Sequence, residues 1–146
     1  MKKALIIFAT LASVTAFAET SQVNNQPMMK FGVYDVSNTV AKEVSGNKYS
    51  ISNKHHRLCW TAFNMPFQPS NQVVEVFTSP KNAKFSGAVS SKDGKTHTIK
   101  LHTASSNNEF LERCWRFEKT DPKGKYSLSV SVNDVTFPTV PFSVVK

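Results

Sequence analysis

The chain has 146 residues, with 18 Lys or Arg against 10 Asp or Glu, so its net charge is +8 at pH 7. This length suits a single domain that can bury a hydrophobic core. The basic residues are scattered rather than massed in one run, which indicates a solvated basic surface. The sequence therefore predicts neither nucleic-acid binding nor a second domain.

The first 18 residues have the three parts of a secretory signal peptide. Lys2 and Lys3 precede an apolar run that ends in the small-x-small site Ala16-Phe17-Ala18, just before Glu19. The run is shorter than the ~20 apolar residues that a membrane span needs, and no later stretch is long enough either. We expect cleavage after Ala18 and export of a bacterial protein to the periplasm, the cell surface or the medium.

Residues 19–29 are polar and rich in Asn and Gln, which predicts a flexible N-terminal arm. Residues 30–146 carry about nine short apolar runs at the spacing of an all-β sandwich or barrel, beginning with a strand over 31–36. We expect hairpins at Gly46-Asn47 and Asp93-Gly94. Pro138 and Pro141 predict that the last strand is bulged or lies at a sheet edge.

The stretch from Cys114 to Val132 carries the clearest architectural signal. From Tyr126 to Val132 it alternates apolar residues with serine, the pattern of a strand with one buried face. Pro122 and Gly124 shape a turn directly before Tyr126. This arrangement resembles the tyrosine corner of immunoglobulin-like sandwiches. The resemblance implies a single-domain antiparallel β-sandwich of immunoglobulin-like architecture.

Cys59 and Cys114 are each followed by a tryptophan, and an oxidising compartment favours a disulfide between them. Strand parity places both cysteines with polar neighbours and both tryptophans with apolar ones. We therefore expect a disulfide on the outer face of one sheet, which requires adjacent strands, and we expect Trp60 and Trp115 in the core. The antibody pattern differs, because Leu128 stands where the second antibody cysteine would be.

The most informative binding signal is aromatic. Apolar residues concentrate in a loop after one strand and in a second patch near the C-terminus, and exposed apolar loops on sandwiches often bind partners. The candidate partner-binding residues are Phe63, Met65, Phe67, Phe137 and Phe142. The alternative is that these side chains close the open ends of the sandwich.

A copper or zinc site is the alternative function, built on His55 and His56 with Met28, Met29 or Met65. Catalytic motifs such as Gly-x-Ser-x-Gly are absent from the sequence, so neither an enzyme nor a cofactor is predicted. Glu112, Arg116 and Glu118 share the outer face of one predicted strand and are interpreted as a solvated row of ion pairs. The sequence thus favours an exported, non-catalytic module that binds a protein, or an envelope or host surface.

Overall fold

A computed structural model describes residues 25–146 as two β-sheets packed face to face. Its eleven strands are β1 (Met28–Asp35), β2 (Lys42–Val44), β3 (Lys48–Ser50), β4 (His56–Phe63), β5 (Asn71–Thr78), β6 (Ala88–Ser90), β7 (Thr96–Thr103), β8 (Phe110–Trp115), β9 (Gly124–Val132), β10 (Val135–Thr136) and β11 (Val140–Val145). In this range the only helical element is one 3-10 turn, Ser45–Asn47. The all-β sandwich prediction is confirmed, with eleven strands instead of about nine.

The first sheet has the strand order β2-β1-β4-β8, and its pairs are antiparallel. The second sheet has the order β3-β11-β9-β5-β7-β6, with β10 beside β9. Its pairs are antiparallel apart from β3 and β11, which run parallel. The apolar side chains of both inner faces form one hydrophobic core between the sheets.

The N-terminal predictions can be compared with the structure only from residue 25 onward. The predicted signal peptide, residues 1–18, and residues 19–24 of the predicted arm lie outside the described residues. Strand β1 begins at Met28 rather than Phe31, because residues 28–30 pair with Phe63, Ala62 and Thr61 of β4. The last two residues of the predicted arm therefore belong to the sheet.

The predicted hairpin at Gly46-Asn47 is wrong. Strand β2 pairs with β1 in the first sheet, whereas β3 pairs with β11 in the second. Gly46 and Asn47 both adopt positive φ, at 72° and 50°, and the 3-10 turn carries the chain from one sheet to the other. A turn sequence states how the backbone bends, but not which strand the next segment will pair with.

The second predicted hairpin is confirmed. Strands β6 and β7 pair on either side of the Asp93-Gly94 turn, and Ser90 lies opposite His97. Gly94 supplies the positive φ of 64° that this turn requires.

The proline-containing end of the chain forms two strands. Strand β11 lies between β9 and β3, and it pairs with β3 only from Ser143 onward. The predicted edge position therefore holds only for its first three residues, 140–142. Pro141 is accommodated there, because β9 is its single partner.

The tyrosine corner is present. The Tyr126 hydroxyl donates a hydrogen bond to the Pro122 carbonyl four residues upstream. Gly124 begins β9 with a φ of 141°, and a Cβ atom at this position would lie only 2.9 Å from Pro80 Cγ. The resemblance to immunoglobulin-like sandwiches therefore holds at the level of architecture.

Candidate functional site

The pairing of β4 with β8 explains the cysteines. Cys59 lies directly opposite Cys114 in the antiparallel register, their Cα atoms are 4.1 Å apart, and they form a disulfide. Cys114 is exposed and lies on the face that points away from the opposite sheet, while Cys59 is 7% exposed. The predicted disulfide between adjacent strands is confirmed, and it connects an edge strand to its neighbour.

The inner face of the same strand pair carries both tryptophans. Trp60 is fully buried, as predicted, whereas Trp115 is half-buried and packs edge-on against Phe77 at 5.3 Å between ring centroids. Both indole N–H groups donate to one carboxylate oxygen, Glu75 Oε1, at 2.6 Å from Trp60 and 2.9 Å from Trp115. The tryptophans therefore tie the first sheet to β5 of the second sheet.

Glu75 is fully buried in the centre of the sandwich, and sequence reasoning did not identify it. Its Oε1 also accepts a hydrogen bond from Arg113 Nε at 3.3 Å, and Arg113 lies over the Trp115 ring. Its Oε2 has no hydrogen-bond partner. A signal was available, because parity places Glu75 on the same strand face as Val73 and Phe77. These four side chains are called the Glu75 cluster below (Glu75, Trp60, Trp115 and Arg113).

A surface cleft of about 880 Å³ lies between the turn after β3 and the segment that follows β8. Beneath it lie the buried rings of Tyr49 and Phe117, whose centroids are 5.1 Å apart. Tyr49 donates to the His56 carbonyl at 2.9 Å and accepts from the Phe117 backbone N–H at 3.2 Å. Burial raises the pKa of the Tyr49 phenol, so the hydroxyl stays protonated at neutral pH and can make both bonds.

Local hydrogen bonds hold the two walls of this cleft. On one side Asn53 Oδ1 accepts from the His55 backbone N–H at 2.9 Å, and Asn53 Nδ2 donates to Asp35 at 3.1 Å. On the other side Asp121 Oδ2 accepts from the Glu118 backbone N–H at 2.7 Å. The shape of the cleft is therefore built into the fold rather than dependent on a ligand.

The charges around this cleft are mainly positive. Lys54, Arg116 and Lys119 line it and are exposed, and Glu118 is the single acidic residue in its lining. We call it the basic cleft, defined by residues 49–55 and 116–120. Clustered, exposed basic side chains favour an anionic ligand group.

The predicted aromatic patches do not form one surface. Phe137 and Phe142 are 5% and 3% exposed and belong to the core, so their side chains offer little surface to a partner. Their burial corrects the interpretation of this patch as an exposed loop. Phe63, Met65 and Phe67 are half-buried, and Met65 and Phe67 pack against the core.

The histidines predicted for a metal site have structural partners. His56 is buried, and its Nδ1 accepts a hydrogen bond from the Ser50 backbone N–H at 3.0 Å. His55 is half-buried in the cleft wall. Among residues 25–146, Cys59, Glu112 and Cys114 are the one close group of three His, Cys, Asp or Glu side chains, and its two sulfurs are joined in the disulfide. Metal binding through His55 and His56 stays a prediction.

His97 forms a second polar cluster in the second sheet. Its ring is fully buried between two hydroxyls, with Nε2 at 3.1 Å from Ser79 Oγ and Nδ1 at 2.8 Å from Ser90 Oγ. Burial lowers the pKa of His97 below its usual value, against the opposing effect of the nearby Asp93 carboxylate. The neutral ring is therefore the form that the folded protein favours.

In the part of the chain that the structure covers, no helix has the length and apolar character to span a bilayer. A protein of Pasteurella multocida strain Pm70, described as uncharacterized protein PM0630, is 28% identical over 152 residues, which cover 97% of this chain and 95% of that protein.

The crystal structure of an immunoglobulin-like protein (PA1606) from Pseudomonas aeruginosa superposes with a TM-score of 0.53 at 14% identity. That match covers 81% of this chain and 92% of the other, and at this identity it supports the fold alone. A family model described as the PM0630 beta sandwich domain matches residues 29–145. The chain therefore belongs to the PM0630 beta sandwich family.

Proposed function

We propose that this protein is an exported, non-catalytic binding module that recognises another protein, or an envelope or host surface, through the basic cleft. The observation that carries the proposal is the cleft itself, which is lined by three exposed basic side chains above two buried aromatic rings. Export is supported by the signal-peptide sequence and by the disulfide, since such bonds persist in oxidising compartments.

The chemistry of the cleft favours an anionic contact group on the partner. Lys54 stands on one wall, with Arg116 and Lys119 on the other, so an acidic group between them would meet positive charge from both sides. Tyr49 and Phe117 are only 1% and 5% exposed, so their rings support the cleft from beneath, and the exposed basic side chains make the contacts. An acidic peptide segment or an anionic surface polymer fits this combination.

A charge-reversal experiment tests the site. Labelled protein would be titrated with vesicles prepared from the cell envelope of the producing bacterium, comparing the wild type with the double variant Lys54→Glu/Lys119→Glu. We expect roughly tenfold weaker binding or more for the variant, because two attractive contacts become repulsive. Protease treatment of the vesicles then separates a protein partner from a glycan or lipid one.

The matched control is Lys42→Glu/Lys100→Glu, which makes the same change in net charge at two exposed lysines outside the cleft. It should bind like the wild type. Equal weakening of both double variants would indicate diffuse attraction by the basic surface and would overturn the assignment of the cleft. Phe67→Ser tests the remaining aromatic loop in the same assay, and loss of binding in that variant alone would move the contact to the loop.

A further inference from the structure

Strand β8 is an unpaired edge of the first sheet. It pairs with β4 on one side, and from Leu111 to Trp115 none of the named strands pairs with its other side. At its start a tight turn lies beside it, because Ser106 forms a bridge with Phe110. The alternation of more and less exposed residues continues from Glu112 to Phe117, which indicates an extended course beyond the end of the strand.

This edge has few of the devices that usually prevent strands from pairing between molecules; the inward-pointing Arg113 is one, and its charge is paired with Glu75. β8 is six residues long and contains no Pro, Gly or Lys, whereas the other three outer strands, β2, β3 and β6, have three residues each. The disulfide and the Glu75 cluster also hold β8 against the rest of the sandwich. The edge is therefore both available and rigid.

The charges on the outer face of β8 are unpaired within the described chain. Glu112 and Arg116 are exposed and form no ion pair there, since the two salt bridges of residues 25–146 are Lys30–Glu43 and Arg113–Glu75. This differs from the ion-pair row that the sequence predicted for Glu112, Arg116 and Glu118. Glu112 lies in the edge strand and Arg116 directly follows its end. An acid and a base four residues apart on one side of this extended segment are complementary to a second copy that runs in the opposite direction.

We infer that two copies of this chain pair through β8, antiparallel and centred on Cys114. In this register Glu112 of each copy lies directly opposite Arg116 of the other, so two charge pairs form symmetrically. On the inner face Arg113 lies opposite Trp115 of the second copy, a combination already in contact within one chain at 5.1 Å. The two first sheets join into one continuous sheet. The inference shares one side chain with the proposed function, because Arg116 also lines the basic cleft.

Neighbouring registers are disfavoured by the same charges. Directly opposite residues point to the same face, so a symmetric pairing is centred on one residue that meets its own copy. Centring on Glu112 places two carboxylates together, and centring on Arg113 places two guanidinium groups together. Centring on Trp115 brings Glu112 opposite Glu118. Among the registers centred on residues 112 to 115, the one centred on Cys114 avoids like charges in this way.

The test is sedimentation velocity of the purified, oxidised protein from micromolar to millimolar concentration. We expect a concentration-dependent dimer for the wild type. Glu112→Arg should raise the dimer dissociation constant roughly tenfold or more, because both charge pairs become repulsive. The double variant Glu112→Arg/Arg116→Glu should restore the dimer, since the swapped pair regains complementarity.

Asp134→Arg is the control, because it makes the same charge change at an exposed residue between β9 and β10, in the other sheet. It should dimerise like the wild type, and thermal unfolding should show that all variants are folded. A wild-type protein that stays monomeric at every concentration overturns the inference. So does a dimer that tolerates Glu112→Arg, or a double variant that remains dissociated.

Discussion

The two faces of the β4–β8 pair are held by opposite means. On the outer face the Cys59–Cys114 bond joins neighbouring strands covalently, next to water. On the inner face the Glu75 cluster joins these strands to the opposite sheet by three hydrogen bonds to one buried oxygen. The covalent link acts within one sheet, whereas the polar link acts between the two sheets.

This difference sets how each link contributes to stability. A disulfide stabilises mainly by restricting the unfolded chain, here across a sequence separation of 55 residues. A buried polar cluster acts in the folded state, where a donor that loses its acceptor cannot find water. Removing the acceptor should therefore lower the free energy of unfolding by more than the net contribution of the three hydrogen bonds.

The largest effect is expected at Glu75. Glu75→Leu removes the acceptor of both indole N–H groups, those of Trp60 and Trp115. Each buried donor that is left unpaired lowers the stability of the fold by about 1–3 kcal/mol. With Arg113 also losing its partner, we expect a loss of about 3–5 kcal/mol in the free energy of unfolding, measured by urea denaturation.

Glu75→Gln is the matched variant, because it keeps an acceptor oxygen of the same reach. It should lose distinctly less stability than Glu75→Leu. If the leucine variant is as stable as the wild type, the polar link does not hold the sheets together, and the buried carboxylate has to be explained by a role other than stability.

The next effect is expected from the disulfide. Cys59→Ser/Cys114→Ser should lower the free energy of unfolding by about 2–4 kcal/mol, since the unfolded chain regains its freedom. The fold should persist at neutral pH, because the inner cluster stays intact. Tryptophan fluorescence reports this directly, and a change of the native spectrum would show that the outer bond also positions Trp60 and Trp115.

The smallest effect concerns pH and lies outside both links. Burial lowers the pKa of His97, so the unfolded state binds more protons, and stability falls as pH decreases below about 6.5. Thermal unfolding between pH 5 and 7.5 should show this loss in the wild type. It should disappear in His97→Gln and persist in His102→Gln, which changes an exposed histidine of the same strand.

Asp35 titrates in a separate window, because hydrogen bonds from Ser37 and Asn53 lower its pKa to about 2. Its contribution is complete above the ordinary pKa of about 4 and is lost only in stronger acid. The Asp35 carboxylate therefore does not affect the comparison between pH 7.5 and 5. A melting temperature that stays constant over this range would contradict the assignment to His97.

Local pattern determined much of the architecture. The alternation after Gly124, the Asp93-Gly94 turn and the matched parity of the two Cys-Trp steps predicted the strands, one hairpin and the disulfide with its face. These features depend on which side of a strand each residue points to, and that side follows from a period of two residues.

Tertiary structure decided the partners of these elements. Gly46-Asn47 bends the chain in either topology, and only packing sends β2 and β3 to different sheets. Phe137 and Phe142 are apolar in any context, and only the closed sandwich buries them. The acceptor for the two tryptophans comes from another sheet, 15 and 40 residues away in sequence. Strand parity could indicate that Glu75 is buried, but no local pattern could identify the tryptophans as its partners.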